Sequence, residues 1–168
     1  MIYLIGNGPQ QTTAAFAAVT TGNAIKTMLQ VKTLTPAKII EWGISFDGSA
    51  AATPGKIELI ETGTVFGTVT ASVAADITGV DGEALLFGDP TSNYISVGTS
   101  ATGYTCTSEG SITAVRNLEG PQFIAPTNQY VKQYPLGQEP IIQAAKAMRI
   151  RVTFGAAVNA YGYVKLAF

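Results

Sequence analysis

Two arginines stand two residues apart in "MRIRVTF", and three glutamates, Glu41, Glu58 and Glu61, lie in segments with the composition of β-strands. Side chains two apart on a strand share a face at a spacing of ~7 Å. Arg149 and Arg151 therefore read either as a solvent-facing pair or as an ionic contact to a neighbouring chain, where the planar guanidinium fork is favoured. Two carboxylates brought together could serve as the acid and base of a glycosidase. Glu41, however, alternates onto the polar face of its strand, where acids are ordinary. Asp76, Asp81, Glu83 and Asp89 gather around Gly79 and Gly82, and their oxygens could hold a hard cation such as calcium. The stretch "DITGVDGE" lacks the alternating carboxylates and closing Glu of an EF-hand, so a solvated loop is its plainer reading.

The chain has no histidine, which removes Ser-His-Asp and Cys-His chemistry, imidazole metal ligation and the common switch between pH 5 and 8. Its single cysteine, Cys106, can form no intrachain disulfide and reads as a small packed or half-exposed residue. "GNGPQQ" and "GDPTSN" lack the following helix of a dinucleotide fingerprint and the Lys-Ser/Thr of a P-loop. No residue is assigned to catalysis, to a cofactor or to a metal.

Contact chemistry is better represented. "QFIAPTNQYVKQYPLGQEPIIQ" carries Phe123, Tyr130 and Tyr134 among prolines and amides. Such aromatics suit a contact surface, a groove that stacks sugars, or simply the core. The final strand ends in Val164, Leu166 and Phe168. Apolar residues there, where polar ones normally collect, are expected to be buried in the chain's own core or against another chain.

The elements that must position these groups follow from periodicity. In "KIIEWGISF", Ile40, Trp42, Ile44 and Phe46 alternate with Glu41, Gly43 and Ser45; in "MRIRVTF", Met148, Ile150, Val152 and Phe154 alternate with Arg149, Arg151 and Thr153. Period two predicts strands with one face on a core. "AIKTMLQVKT" and "KIELIET" read as strands, "NYISVG" and "NQYVKQY" as weaker ones. Breaks are expected at 47–55, 88–93, 119–128 and 134–140, where Gly, Pro and Asn cluster. A helix of at most a turn or two is expected near residues 71–87. Many short strands without helical crossovers predict an all-β, antiparallel β-sandwich, jelly-roll-like, in one domain spanning residues 1–168. Residues 1–22 read as an N-terminal arm or an edge strand.

Composition bounds the partners. Hydrophobic residues make up 46% and charged residues 12%, with a net charge of −1. No strong field is available to steer nucleic acid or a charged substrate, and so few charges imply that part of the surface is covered in the working state. "MIYLIGNGPQ" lacks a basic n-region and its apolar run is too short for a signal peptide; no apolar run approaches the ~18 residues that span a bilayer. The expectation is a soluble protein made in the cytoplasm, with no membrane and no direct nucleic-acid partner.

From "PQFIAPTNQYVKQYPLGQEPIIQAAKAMRIRVTFGAAVNAYGYVKLAF", and more loosely from "EWGISFDGSAAATPGKIELIE", the chain resembles the head decoration, or cement, proteins of tailed bacteriophages. The resemblance implies a jelly-roll-like sandwich that forms a homotrimer and clamps the outer surface of a capsid at local threefold positions. Its partner would be the major capsid protein, its place the virion exterior after synthesis in the host cytoplasm. It also implies bracing against internal DNA pressure, without chemistry. The shared pattern is one of strands and turns, so it carries no site residues across. Arg149, Arg151, Phe123, Tyr130, Tyr134 and Phe168 are candidate subunit or capsid contacts from their own chemistry. The alternative is a virion fibre or tail module, or a lectin-like sandwich binding cell-surface carbohydrate. A carboxylate enzyme using Glu41, Glu58 or Glu61 is the third reading.

Overall fold

A computed structural model describes residues 1–9, 19–49, 51–81, 94–110 and 113–168. In chain order the strands are β1 Ile2–Gly6, β2 Val19–Thr20, β3 Ile25–Thr33, β4 Ala37–Asp47, β5 Gly55–Thr62, β6 Thr68–Ala71, β7 Ile77–Gly79, β8 Ile95–Ser96, β9 Gly103–Ser108, β10 Arg116–Ile124, β11 Gln129–Gln133, β12 Ile141–Ile142, β13 Ala147–Thr153 and β14 Asn159–Ala167. The first sheet has the order β11-β4-β14-β1-β7, with β12 on β4 and β2 on β14. The second runs β10-β5-β13-β3-β9-β6, with β8 on β3. The pairings between these strands are antiparallel.

Four of those pairings are nested along the chain: β1 with β14, β3 with β13, β4 with β11 and β5 with β10. A long hairpin rolled so that its successive pairs alternate between two sheets is the jelly-roll arrangement. The all-β sandwich expected from the sequence is therefore the fold, in that topology. Strands β6 to β9 form an insertion between β5 and β10. It adds β7 beside β1 in the first sheet, and β9, β6 and β8 on the β3 side of the second.

The core is the inward faces of the two sheets. Trp42, Ile44 and Phe46 of β4 and Val164 and Leu166 of β14 meet Ile57 and Leu59 of β5 and Met148, Ile150 and Val152 of β13. Burying one such side chain fully contributes about 1.5–3 kcal/mol of transfer free energy. One detail of β4 departs from strict alternation. A register shift beside Lys165 puts Ile39, not Ile40, opposite Leu166. Ile39 is buried in the core, while Ile40 is only half-buried.

Three further expectations change. The predicted break at 119–128 is largely strand, because β10 continues to Ile124. It accommodates Gly120 and Pro121 through register shifts around Glu119, with Gly120 at φ +105°. Glycine takes that conformation without a Cβ penalty. The N-terminus is not an arm throughout: β1 lies between β14 and β7, and only the two-residue β2 is an edge piece; residues 10–18 lie outside the described residues. Of the predicted helix at 71–87, a single 3-10 turn, Ala74–Asp76, is seen, and 82–87 lie outside the described residues. Among the described residues no helix is long and apolar enough to cross a membrane.

Candidate binding surfaces

Alternation places Arg149 and Arg151 on the outward face of the second sheet, as predicted, but the chain itself covers that face. Arg149 is fully buried. Its Nη1 donates to the Glu109 carbonyl at 2.9 Å and lies 3.5 Å from Glu109 Oε2, and Nη2 donates to the Val65 carbonyl at 2.8 Å. Glu109 in turn accepts from the Thr27 amide at 2.7 Å and the Thr27 hydroxyl at 2.6 Å. Gln30, opposite Arg149 in register, donates to the Ala101 carbonyl at 2.6 Å and accepts from the Gly67 amide at 2.9 Å. Arg151 donates from Nε to Glu58 Oε1 at 2.5 Å, and Lys56 Nζ lies 3.5 Å from the same oxygen. Both arginines are thus spent within the chain: Arg149, with Gln30, pins the segments around residues 65–67 and 109 onto the sheet, and Arg151 pairs with Glu58 on β5. The contact to a neighbouring chain assigned to them is corrected: burial and intramolecular pairing leave no guanidinium to offer. Burial also lowers the Arg149 pKa, against the pull of Glu109.

The three glutamates do not converge. Glu58 faces outward from the second sheet beside Arg151. Glu61 follows Ile57 and Leu59 onto the inward face, where Arg116 donates to both its oxygens, at 3.1 and 2.6 Å, and the Gln143 amide donates at 3.2 Å. Burial pushes the Glu61 carboxyl up, but Arg116 and the Gln143 amide outweigh it and hold it below the usual range. Glu41 sits on the outward face of the other sheet. Asp76 and Asp81 serve the backbone, accepting from the amides of Val73 at 2.8 Å and Ile2 at 3.0 Å. Glu83 and Asp89 lie outside the described residues. Among the described residues no three His, Cys, Asp or Glu side chains cluster as a metal site. Cys106 is buried, and burial followed by nearby Glu109 pushes its thiol up to about 11.

The aromatic candidates divide. Tyr130 and Tyr134 pack against the core and donate their hydroxyls to the two oxygens of Glu119, each at 3.3 Å. Tyr130 also lies 5.2 Å from Trp42. They tie β11, the edge of the first sheet, to β10, the edge of the second. Phe123, on β10, is 71% exposed. Phe168 is half-buried, its ring 5.9 Å from Tyr3 and 5.2 Å from Tyr94, and its amide donates to the Met1 carbonyl at 3.0 Å. The final strand β14 is the middle of its sheet, so its apolar residues are buried at home.

A surface missed in the sequence lies on the outward face of the first sheet. Three cross-strand rows build it: Gln129, Ser45 and Tyr161; Val131, Gly43 and Tyr163; Gln133, Glu41 and Lys165. The Tyr163 ring occupies the space a Cβ would need at Gly43, 2.7 Å away, and the Tyr161 hydroxyl end does so at Gly6, 3.0 Å away. The two rings therefore lean to opposite sides of β14, with centroids 6.0 Å apart and planes 23° apart. Tyr163 donates to Glu41 Oε1 at 2.7 Å and Lys165 Nζ lies 2.9 Å from the same oxygen. Lys165 first, then the Tyr163 bond, lower the Glu41 pKa against burial. Burial raises the Tyr163 phenol, reinforced by Glu41. At the Ser45 end an open cleft of about 460 Å³ is lined by Ser45, Phe46, Thr127, Asn128 and Gln129. The sequence signal was "AYGYVK" on the polar face of the last strand; only the facing glycines of β1 and β4 give its tyrosines a floor.

Compared with known protein families, with curated proteins and with solved structures, the chain matches none.

Proposed function

We propose that this chain is a structural virion protein that trimerises on the outer surface of a phage capsid and braces the shell. The major capsid protein is its partner, and local threefold positions are where it sits. The observation that carries the reading is one lateral edge of the sandwich. The two edge strands and the loop beside them carry exposed apolar side chains: Val131 on β11 and Ile141 on β12 on the outward face of the first sheet, Phe123 on β10 on the outward face of the second, and Leu136 in the loop between β11 and β12, 95% exposed. Large apolar side chains left exposed along an edge are candidates for association. The edge strand β10 is poorly suited to strand addition, because Pro121 has no amide hydrogen and register shifts interrupt its ladder. Side-chain packing, and not β-augmentation, is therefore the mode of contact. A net charge of −1 adds little repulsion between copies. The mechanism is additive contact, with each subunit burying on the order of 1,000 Å² or more and shell stability following occupancy by mass action.

Light scattering at two concentrations tests the first half. The expected result is a trimer that the double variant Phe123→Asp/Leu136→Asp converts to a folded monomer. Calorimetry of capsids with and without added protein tests the second: decorated shells melt at higher temperature. A monomer at every concentration, together with equal melting of both shells, would defeat the proposal.

A further inference from the structure

We propose that Glu119 is the positioning residue of the contact edge: by accepting from Tyr130 and Tyr134 it holds β10 against β11, so that Phe123 and Leu136 meet a partner copy in one fixed arrangement. The inference rests on the reading of that edge as the subunit contact. It deepens that reading, from which side chains touch the neighbour to what keeps them in place.

The need for such a residue follows from the two sheets. Phe123 lies on the outward face of the second sheet and Val131 and Ile141 on that of the first, with Leu136 in the loop between β11 and β12. A partner that grips this edge therefore touches both sheets at once. Among the described residues no strand pairing joins β10 to β11 or β12. Leu118 and Ile124 of β10 pack on the shared core, as do Tyr130 and Tyr134, but apolar contact is non-directional and fixes no register. Directional bonds do. The turn at 125–128 ties one end, the Asn128 amide donating to the Ala125 carbonyl at 3.0 Å. At the other end Arg116 donates to the Ile141 carbonyl of β12 while it holds Glu61. Glu119 closes the middle.

Local structure aims Glu119 at this task. Its register partner is Leu59, a core residue, and the ladder shifts on either side of it. Such irregularities re-aim a side chain. Gly120 permits this one: it stands at φ +105°, and a Cβ there would lie 3.0 Å from the Ile57 carbonyl oxygen, so β10 presses closely on β5 at that point. The carboxylate spans to the first sheet with one oxygen for each tyrosine, at 3.3 Å in both cases. Burial raises both phenols and Glu119 adds to it, so the tyrosines remain donors and the carboxylate their acceptor. Tyr130 adjoins Val131, and Tyr134 stands two residues before Leu136. The bonds therefore fix the backbone that carries the contact side chains.

Sedimentation velocity of the full chain over a concentration series is the test. Glu119→Ala removes the acceptor, while Tyr130→Phe/Tyr134→Phe removes both donors and keeps both rings. Each is expected to raise the concentration at which the trimer dissociates by about tenfold or more. Glu119→Gln is expected to associate as the parent does, since its amide accepts from one hydroxyl and donates to the other. Circular dichroism checks that the fold is kept, as does the emission of Trp42, the single tryptophan, buried beside Tyr130. Should Glu119→Ala fail to fold, the double phenylalanine variant carries the test, because its rings fill the same space. A trimeric parent whose phenylalanine variant dissociates at the parent's concentration overturns this proposal alone, whether or not its urea midpoint falls. Equal loss of association in Glu119→Gln and Glu119→Ala also overturns it, by assigning the effect to charge and not to the bonds. A parent that is monomeric at every concentration overturns the reading of the edge and this inference with it, so the two failures are distinct.

Discussion

Replacing Arg149 by methionine keeps most of the side-chain volume and removes the guanidinium from beneath the segments it pins. Three acceptors lose their donor: the Val65 carbonyl at 2.8 Å, the Glu109 carbonyl at 2.9 Å and Glu109 Oε2 at 3.5 Å. A hydrogen bond to a charged group contributes about 1.5–3 kcal/mol, and a buried acceptor left bare costs about 1–3 kcal/mol. Glu109 keeps its two bonds from Thr27, and its side chain is 18% exposed, so water repairs part of the loss. The net figure is that of a buried ion pair with one partner removed, about 3–5 kcal/mol. Urea unfolding is the assay. With a slope of about 2 kcal/mol/M, the midpoint falls by roughly 1.5–2.5 M. Adding Glu109→Gln should cost less in the Arg149→Met background than in the parent, a coupling of about 1–3 kcal/mol. A loss below about 1 kcal/mol, or strict additivity, would refute the pinning role. A change in native mass with stability intact would show Arg149 serving a neighbour after all.

Acidification should weaken the fold from the carboxylate side. Glu61 and Glu41 are held below the usual glutamate value, so the unfolded chain takes up protons first. Stability is full above about pH 4.5 and falls as pH drops through the lowered folded values; urea midpoints should show a shallower decline for Glu61→Gln. On the alkaline side Tyr134, Tyr161 and Tyr163 are raised, chiefly by burial. Their contribution is complete below about pH 10 and is lost as pH climbs through the raised values, which Tyr163→Phe should soften in the same assay. Gly43→Ala drives a Cβ to within 2.7 Å of the Tyr163 ring and 3.1 Å of the Tyr130 carbonyl. Overpacking of this kind costs about 1–3 kcal/mol, or a fall of roughly 2–12 °C in Tm by calorimetry. Phe168→Ala removes ring contacts to Tyr3 and Tyr94. It should lower stability by about 1–3 kcal/mol, with the native mass by light scattering unchanged.

Period-two alternation was enough to mark β3, β4, β5 and β13 as strands and to name the core residues of β13 and, apart from Ile40, of β4, because on a pleated strand the face of each side chain is set by parity alone. The same rule sent Arg149 and Arg151 to the outward face of their sheet. Parity cannot say what lies beyond that face. The Val65 carbonyl and the Glu109 group that hold Arg149 come from segments 84 and 40 residues away, brought there by the insertion between β5 and β10. Solvent-facing and buried arginines have the same local sequence, and only long-range packing separates them. β10 escaped notice because Gly120 and Pro121 break the alternation that marks a strand, while its ladder to β5 absorbs them in register shifts. The Tyr161–Tyr163 surface was equally hidden. Its tyrosines belong to β14, its glycines to β1 and β4, and its hydroxyl and amide rim to β4 and the residues leading into β11. Local pattern determined which side chains face the core; the nesting of β1 with β14 and β4 with β11 decided which of them meet, and the insertion between β5 and β10 decided what covers the outward face that holds Arg149.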